Sequence, residues 1–165
     1  IYSWGLYDGN LRQAIISLKN GKKELSSFFA NKLRDFWNSI NKNNSNDFLV
    51  IQIPSHKKRI KERGYCQTTL ISEQFAKNQN YLFSGSHIVR KKQTNFMNKL
   101  NLEERVENIK DAFEVVKPLK DNLKVIIIDD IFTSGSTMQE IERTIHKEYP
   151  NVELIGLTVA AGDTW

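Results

Sequence analysis

Two adjacent carboxylates, Asp129 and Asp130, close an apolar run, and a stretch of small hydroxylated residues follows them: Thr133, Ser134, Gly135, Ser136 and Thr137. Residues of these types in this order suit the recognition of a phosphorylated sugar. Neighbouring carboxylates repel, so both are kept only where cations or several hydrogen-bond donors face them. A vicinal diol supplies such donors. Small residues that open a helix leave backbone N–H groups unpaired, and the helix dipole adds positive character, which together favour a phosphate. Gly135 allows close backbone approach, and the hydroxyls add donors. The expected arrangement is a ribose gripped by Asp129 and Asp130, with its 5′-phosphate cradled by Thr133 to Thr137.

Other phosphate-binding motifs fail on the same residues. A P-loop needs Gly-x-x-x-x-Gly-Lys-Ser/Thr, and the stretch between Lys124 and Lys147 contains no lysine. A dinucleotide fingerprint needs Gly-x-Gly-x-x-Gly, whereas Gly135 stands alone.

The elements that must position these residues are legible around them. Leu123 to Ile128 is, apart from Lys124, apolar and largely β-branched, as for a strand of a parallel sheet buried on both faces, whose carboxyl end is where open α/β folds bind ligands. Met138, Ile141 and Ile145 recur at helical spacing, so the hydroxylated turn opens a helix; Ser136 with Gln139, or Thr137 with Glu140, matches a capping box. Upstream, Leu11, Ala14, Ile15 and Leu18 mark one helix ended by Gly21. Leu25, Phe28, Phe29, Leu33, Phe36 and Trp37 mark a second, whose aromatics are assigned to the core. Phe48 to Ile53 predicts a central strand and Gln67 to Lys77 a helix. Short strands are expected at His87 to Arg90 and Ala112 to Val116, a helical turn or two at Leu102 to Ile109, and a closing strand at Val152 to Val159. This order predicts a single α/β domain over residues 1–165, a mostly parallel twisted sheet flanked by helices.

The segment from the apolar strand through Asp129-Asp130 to the Thr/Ser/Gly-rich turn resembles the 5-phosphoribosyl 1-diphosphate (PRPP) motif of type I phosphoribosyltransferases. Ile53-Pro54-Ser55-His56-Lys57-Lys58-Arg59 leading to Glu62-Arg63-Gly64-Tyr65-Cys66-Gln67 is similar to the signature of ComF-type members of that superfamily. So are Tyr7-x-Gly9 with Leu18-Lys19, Arg90-x-x-x-Thr94, and Arg105-x-x-Asn108 before Ala112-Phe113. The resemblance implies a glycosyltransferase, a pentosyltransferase that moves the phosphoribosyl group of PRPP to a nitrogen acceptor such as a nucleobase and releases pyrophosphate. It implies Mg²⁺ as cofactor, with Asp129 and Asp130 as ligands, directly or through water. It also implies Ser55, His56, Lys57 and Lys58 as the pyrophosphate loop. Residues 90–101 form a long polar, basic connection of the kind that serves as a lid; the resemblance implies that it closes over PRPP, with Arg90, Lys91, Lys92 and Thr94 in the mobile loop. Lys92, with Lys91 and Lys99 as alternatives, then joins Asp129 and Asp130 as a catalytic residue, while Arg105 could anchor the loop.

Two other function classes stay open. One is a PRPP or nucleotide sensor that binds without catalysis. The other is an accessory of natural competence and DNA uptake that handles single-stranded DNA, which the resemblance implies and a net charge of +5 permits. A homodimer is a further partner to be considered.

Composition bounds these readings. With 165 residues, 39% hydrophobic and 26% charged, the chain fits one folded domain. No apolar run is long enough to span a bilayer and no signal peptide is visible, so the expected location is cytoplasmic. The single cysteine, Cys66, excludes an internal disulfide and a structural zinc site of its own; it stands where ComF-type proteins usually have asparagine and is assigned to packing. ComF-type proteins often carry an N-terminal four-cysteine zinc finger, and the cysteines for one are absent from this chain. His87 and His146 show no metal-ligand spacing. Asp163 and Trp165 could meet a base or, for Trp165, pack on the early helices.

Overall fold

A computed structural model describes residues 1–42, 47–55, 57–92 and 102–162, with the side chains of Lys57 and Leu102 left aside. Thirteen elements follow in order: β1 (Tyr2–Leu6), α1 (Gly9–Lys19), α2 (Leu25–Ile40), β2 (Phe48–Gln52), α3 (Lys57–Arg63), α4 (Gln67–Gln79), β3 (Leu82–Ser84), β4 (Ile88–Arg90), α5 (Leu102–Ile109), β5 (Phe113–Val115), β6 (Lys124–Phe132), α6 (Ser136–His146) and β7 (Glu153–Ala161). Five strands form one parallel sheet in the order β1-β7-β6-β2-β3, and β4 pairs antiparallel with β5 outside it. The expected α/β fold with a mostly parallel sheet is therefore present.

The sheet is covered on both faces because its strands alternate. Val50, Ile126, Ile128, Leu157 and Val159 pack with Ile15, Leu18, Phe29, Leu33, Ile71 and Phe75 from α1, α2 and α4. Leu49, Ile51, Val125 and Ile127 pack on the other face with Ile141 and Ile145 of α6 and with Ile88 and Phe113 of the β4–β5 pair. Helices on both faces of a parallel sheet account for the near-continuous apolar runs of β2 and β6.

The structure corrects several expectations. β6 does not stop at Ile128: it stays paired to β7 as far as Phe132 opposite Ala161, while its pairing with β2 ends at Ile128 opposite Gln52. Neither capping box forms. Gly135 is the N-cap, with φ of 74°, and its carbonyl accepts from the Gln139 amide at 3.0 Å. Ser136 instead faces the Ser134 hydroxyl at 3.0 Å, and Glu140 turns to the Asp111 amide at 2.8 Å. Lys57 and Lys58 belong to the first turn of α3 rather than to a loop. Phe28 is not core: it is 45% exposed and edge-on to Trp4 and Phe29. Strands β1 and β3 escape the sequence because each is short, lies at a sheet edge and lacks period-two alternation.

Ile126 sits fully buried in the central strand. Ile126→Ala is expected to lower the unfolding free energy by about 3 kcal/mol, within the range of roughly 2–5 for such truncations, as read from urea denaturation monitored by circular dichroism.

Candidate functional site

The carboxyl end of β6 divides the acid pair. Successive side chains of a strand point to opposite faces, so Asp129 continues the row of Val125 and Ile127, and Asp130 that of Ile126 and Ile128. Asp129 lines an open cleft together with Ile131, Thr133 to Thr137, Met138, Thr158 and Arg105. Asp130 is buried, 8% exposed, on the other face. Its Oδ2 accepts from the Gln67 side-chain amide at 2.9 Å and from the Lys19 ammonium at 3.0 Å. The Arg63 guanidinium in turn donates to Gln67 Oε1 at 2.9 Å. The cations and donors that adjacent carboxylates require are thus supplied to Asp130 by the protein itself.

These partners push the two acids apart in proton affinity. Burial raises Asp130, but the charge of Lys19 and the hydrogen bond from Gln67 outweigh it and hold the carboxyl below its ordinary value. Asp129 is pushed up to about 8, first by burial and then by the neighbouring charge of Asp130. Its Oδ1 accepts from the Asp130 amide at 2.8 Å, which fixes its orientation toward the cleft.

The turn beyond β6 is shaped for close approach to an anion. Gly135 has the left-handed backbone that glycine favours, and a Cβ there would meet Phe132 Cε2 at 2.9 Å, so no other residue fits without a shift. Among the described residues, the amides of Ser136, Thr137 and Met138 find no hydrogen-bond partner. They line the cleft beside the Thr133, Ser134, Ser136 and Thr137 side chains. The sequence-derived turn and Asp129 are therefore brought together, whereas Asp130 is turned from them.

The other predicted residues are dispersed around this cleft. Ser55 accepts from the Cys66 thiol at 3.2 Å, and that thiol also meets Thr68 Oγ1 at 3.1 Å. Burial raises the Cys66 thiol, but hydrogen bonds with Ser55, Thr68 and Thr69 outweigh it and hold the group below its usual value. Cys66 is thus more than a packing residue: it ties the end of β2 to the start of α4. Lys58 is exposed on α3. Arg90 stands over the Phe113 ring at 5.6 Å; burial and the charge of Arg59 lower its proton affinity, opposed by the charge of Asp129. The amides of Lys91 and Lys92 both donate to the Ala112 carbonyl, and Lys92 Nζ reaches the Lys110 carbonyl at 3.4 Å at the end of α5. His56, Thr94, Lys99, Asp163 and Trp165, and the side chain of Lys57, lie outside the described residues.

Sequence reasoning missed Lys19, Arg63 and Gln67 as partners of the acid pair, and Arg105 as a lining residue. Lys19 ends α1, whose last turn is held where it is by Tyr65: the Tyr65 hydroxyl donates to the Leu18 carbonyl and accepts from the Gly21 amide at 3.2 Å. Nothing in local spacing joins Lys19 to a strand so far along the chain.

Among the described residues no group of three or more His, Cys, Asp or Glu could hold a metal ion. The donors that line the cleft are nevertheless hard oxygens, one carboxylate from Asp129 and several hydroxyls. Such a set fits Mg²⁺, which keeps several waters and takes further oxygens from a bound phosphate. Among the described residues no helix is long and apolar enough to cross a membrane.

No family model matches the chain. Over 100 residues it is 29% identical to Competence protein F of Haemophilus influenzae, covering 59% of this chain and 44% of that protein. Over 96 residues it is 28% identical to DNA utilization protein YhgH of Salmonella typhi, covering 58% of this chain and 42% of that protein. The matches thus span less than half the length of these relatives. Among solved structures, adenine phosphoribosyltransferase from Leishmania tarentolae superposes with a TM-score of 0.51 at 8% identity, over 90% of this chain and 75% of that one. The chain is thus similar in sequence to Competence protein F and DNA utilization protein YhgH over part of its length, and it shares its fold with the adenine phosphoribosyltransferase.

Two outcomes follow from the charges. A carboxyl whose native proton affinity exceeds its unfolded one costs stability progressively as pH rises from the unfolded value, about 4, to the native one, about 8. Asp129→Asn keeps an oxygen acceptor for the Asp130 amide and removes that cost. Its melting temperature should match that of the unsubstituted chain near pH 4 and exceed it by at least about 2 °C near pH 8, in pH-resolved thermal melts. Lys19→Met leaves Asp130 buried without its counter-ion. Because Lys19 keeps 23% of its side chain exposed, the expected loss is about 2–3 kcal/mol in urea denaturation, below that of a fully buried pair, and Lys19→Arg should recover most of it.

Proposed function

We propose that this protein binds PRPP with Mg²⁺ in the cleft at the carboxyl end of β6 and transfers its phosphoribosyl group to a nitrogen acceptor, with release of pyrophosphate. The observation that carries the reading is that Asp129 and the Thr133–Thr137 turn line one cleft, an acid for sugar hydroxyls beside open amides for a phosphate. The fold of the phosphoribosyltransferases supports it.

In this reading the nitrogen lone pair forms a bond to C1 of the ribose while the C1–O bond to the diphosphate breaks, and the diphosphate leaves with the electron pair. Developing positive charge on the sugar is met by Asp129 once its proton is lost, which a bound cation would favour, and the turn fixes the 5′-phosphate so that C1 is aligned. Mg²⁺ held by Asp129 and by ligand oxygens would neutralise the departing diphosphate. Ser55, His56, Lys57 and Lys58 are proposed to receive that diphosphate, and Lys92 to supply a further cation from the start of the 90–101 connection. Asp130 acts indirectly, as the charge whose partners set the position of β6. The acceptor is a nucleobase or another nitrogen compound.

A second reading, handling of single-stranded DNA, draws on the relatives' names and on the basic helix α3, where Lys58 and Lys61 are exposed. One set of measurements separates the two. PRPP with Mg²⁺ is expected to raise the melting temperature by several degrees, an effect lost in Asp129→Asn, and PRPP with candidate bases is expected to release pyrophosphate. Stabilisation without pyrophosphate release would leave a sensor. No stabilisation by PRPP, together with single-stranded DNA affinity that falls steeply with salt and survives Asp129→Asn, would replace this reading with the second.

A further inference from the structure

A phosphate monoester docked at the Thr133–Thr137 turn brings close to two negative charges beside Asp129. Against it the turn sets neutral hydroxyls, amides and a helix end equivalent to roughly half a charge. A cation beside the turn would complete the balance. Lys19 lies away from the turn, beside Asp130 on the opposite face of the sheet. Among the described residues that line the cleft, Arg105 is the cation.

Arg105 is placed there by a helix. It lies in the middle of α5, which packs against α6, the helix that the turn opens. On α5 the buried side is marked by Ile109, 2% exposed, and Arg105 and Asn108 are half-buried beside it, while Glu103, Glu104, Val106 and Glu107 are exposed. The arginine therefore faces inward from an element braced on the helix whose N-terminus makes the cradle. The bracing is itself fixed: Glu140 of α6 accepts from the Asp111 amide just beyond α5, and Arg143 pairs with both Glu140 and Asp111. A guanidinium suits the task, since its planar fork matches two phosphate oxygens.

We propose that Arg105 binds the sugar phosphate docked at the Thr133–Thr137 turn, rather than serving the diphosphate. The proposal rests on the function proposed above and adds the residue that neutralises one end of the ligand. Its ligand class is a phosphate monoester of a pentose.

Isothermal titration of the whole chain with ribose 5-phosphate, with PRPP and Mg²⁺, and with pyrophosphate and Mg²⁺ tests it. Arg105→Gln is expected to weaken ribose 5-phosphate and PRPP about tenfold or more and to leave pyrophosphate unchanged, with Arg105→Lys intermediate because it keeps the charge and loses the fork. Unchanged ribose 5-phosphate affinity in Arg105→Gln, or a loss confined to pyrophosphate, overturns the assignment while leaving PRPP binding intact. Failure of the unsubstituted chain to bind any of the three overturns the parent reading and this one together. A readout that needs no substitution is modification of Arg105 by phenylglyoxal, followed by mass spectrometry. Ribose 5-phosphate is expected to protect Arg105, and equal modification with and without it overturns the proposal.

Discussion

Side chains alternate along a strand, and at the carboxyl end of β6 this constraint places two adjacent acids in two different environments. Asp129 faces the cleft; Asp130 faces α1 and α4 and is held by Lys19 and Gln67. Were both to face one side, their repulsion would have to be relieved there by ligand alone. With Asp130 matched inside the protein, only one acid has to be accommodated in the cleft. Most of what surrounds the site serves that division: α1 delivers Lys19, Tyr65 fixes the end of α1, and Arg63 orients the Gln67 amide.

The division also explains why the sheet is asymmetric at this point. β2 stops at the residue before Asp129, and β7 continues alongside β6 to Phe132. One edge of the acid pair is thus open for side chains from α4 and for the cleft, while the other stays hydrogen-bonded and rigid. The turn that follows inherits that rigidity, because the Gly162 amide donates to the Phe132 carbonyl at 2.8 Å just before the chain bends.

The fold was legible in the sequence where burial on both faces writes long apolar runs, as in Phe48 to Ile53 and Val125 to Ile128. Helices α1, α2, α4 and α6 were legible from their period. The edge strands were not, since three or five residues with one face open leave no pattern. Within the site, the turn and the acids were visible because they are contiguous, and their order along the chain is their order in space. The partners of Asp130 were hidden: Lys19, Arg63 and Gln67 come from other elements, and only the packing of α1 and α4 on the sheet brings them to one carboxylate. The capping residues were misread for a related reason. Ser136 and Thr137 match a capping pattern, but the positive φ of Gly135 and the draw of Asp111 on Glu140 settle the helix start otherwise.

The first strand lies beside the last: Tyr2 is opposite Leu157, and the Ser3 hydroxyl meets that of Thr158 at 2.6 Å. Thr158 is also a wall of the cleft. The cleft is consequently buttressed by a strand whose contact with β7 spans 155 positions of sequence. Closure of so long a loop carries an entropic cost before any contact offsets it. The cleft should therefore be completed late in folding, after the central sheet has condensed.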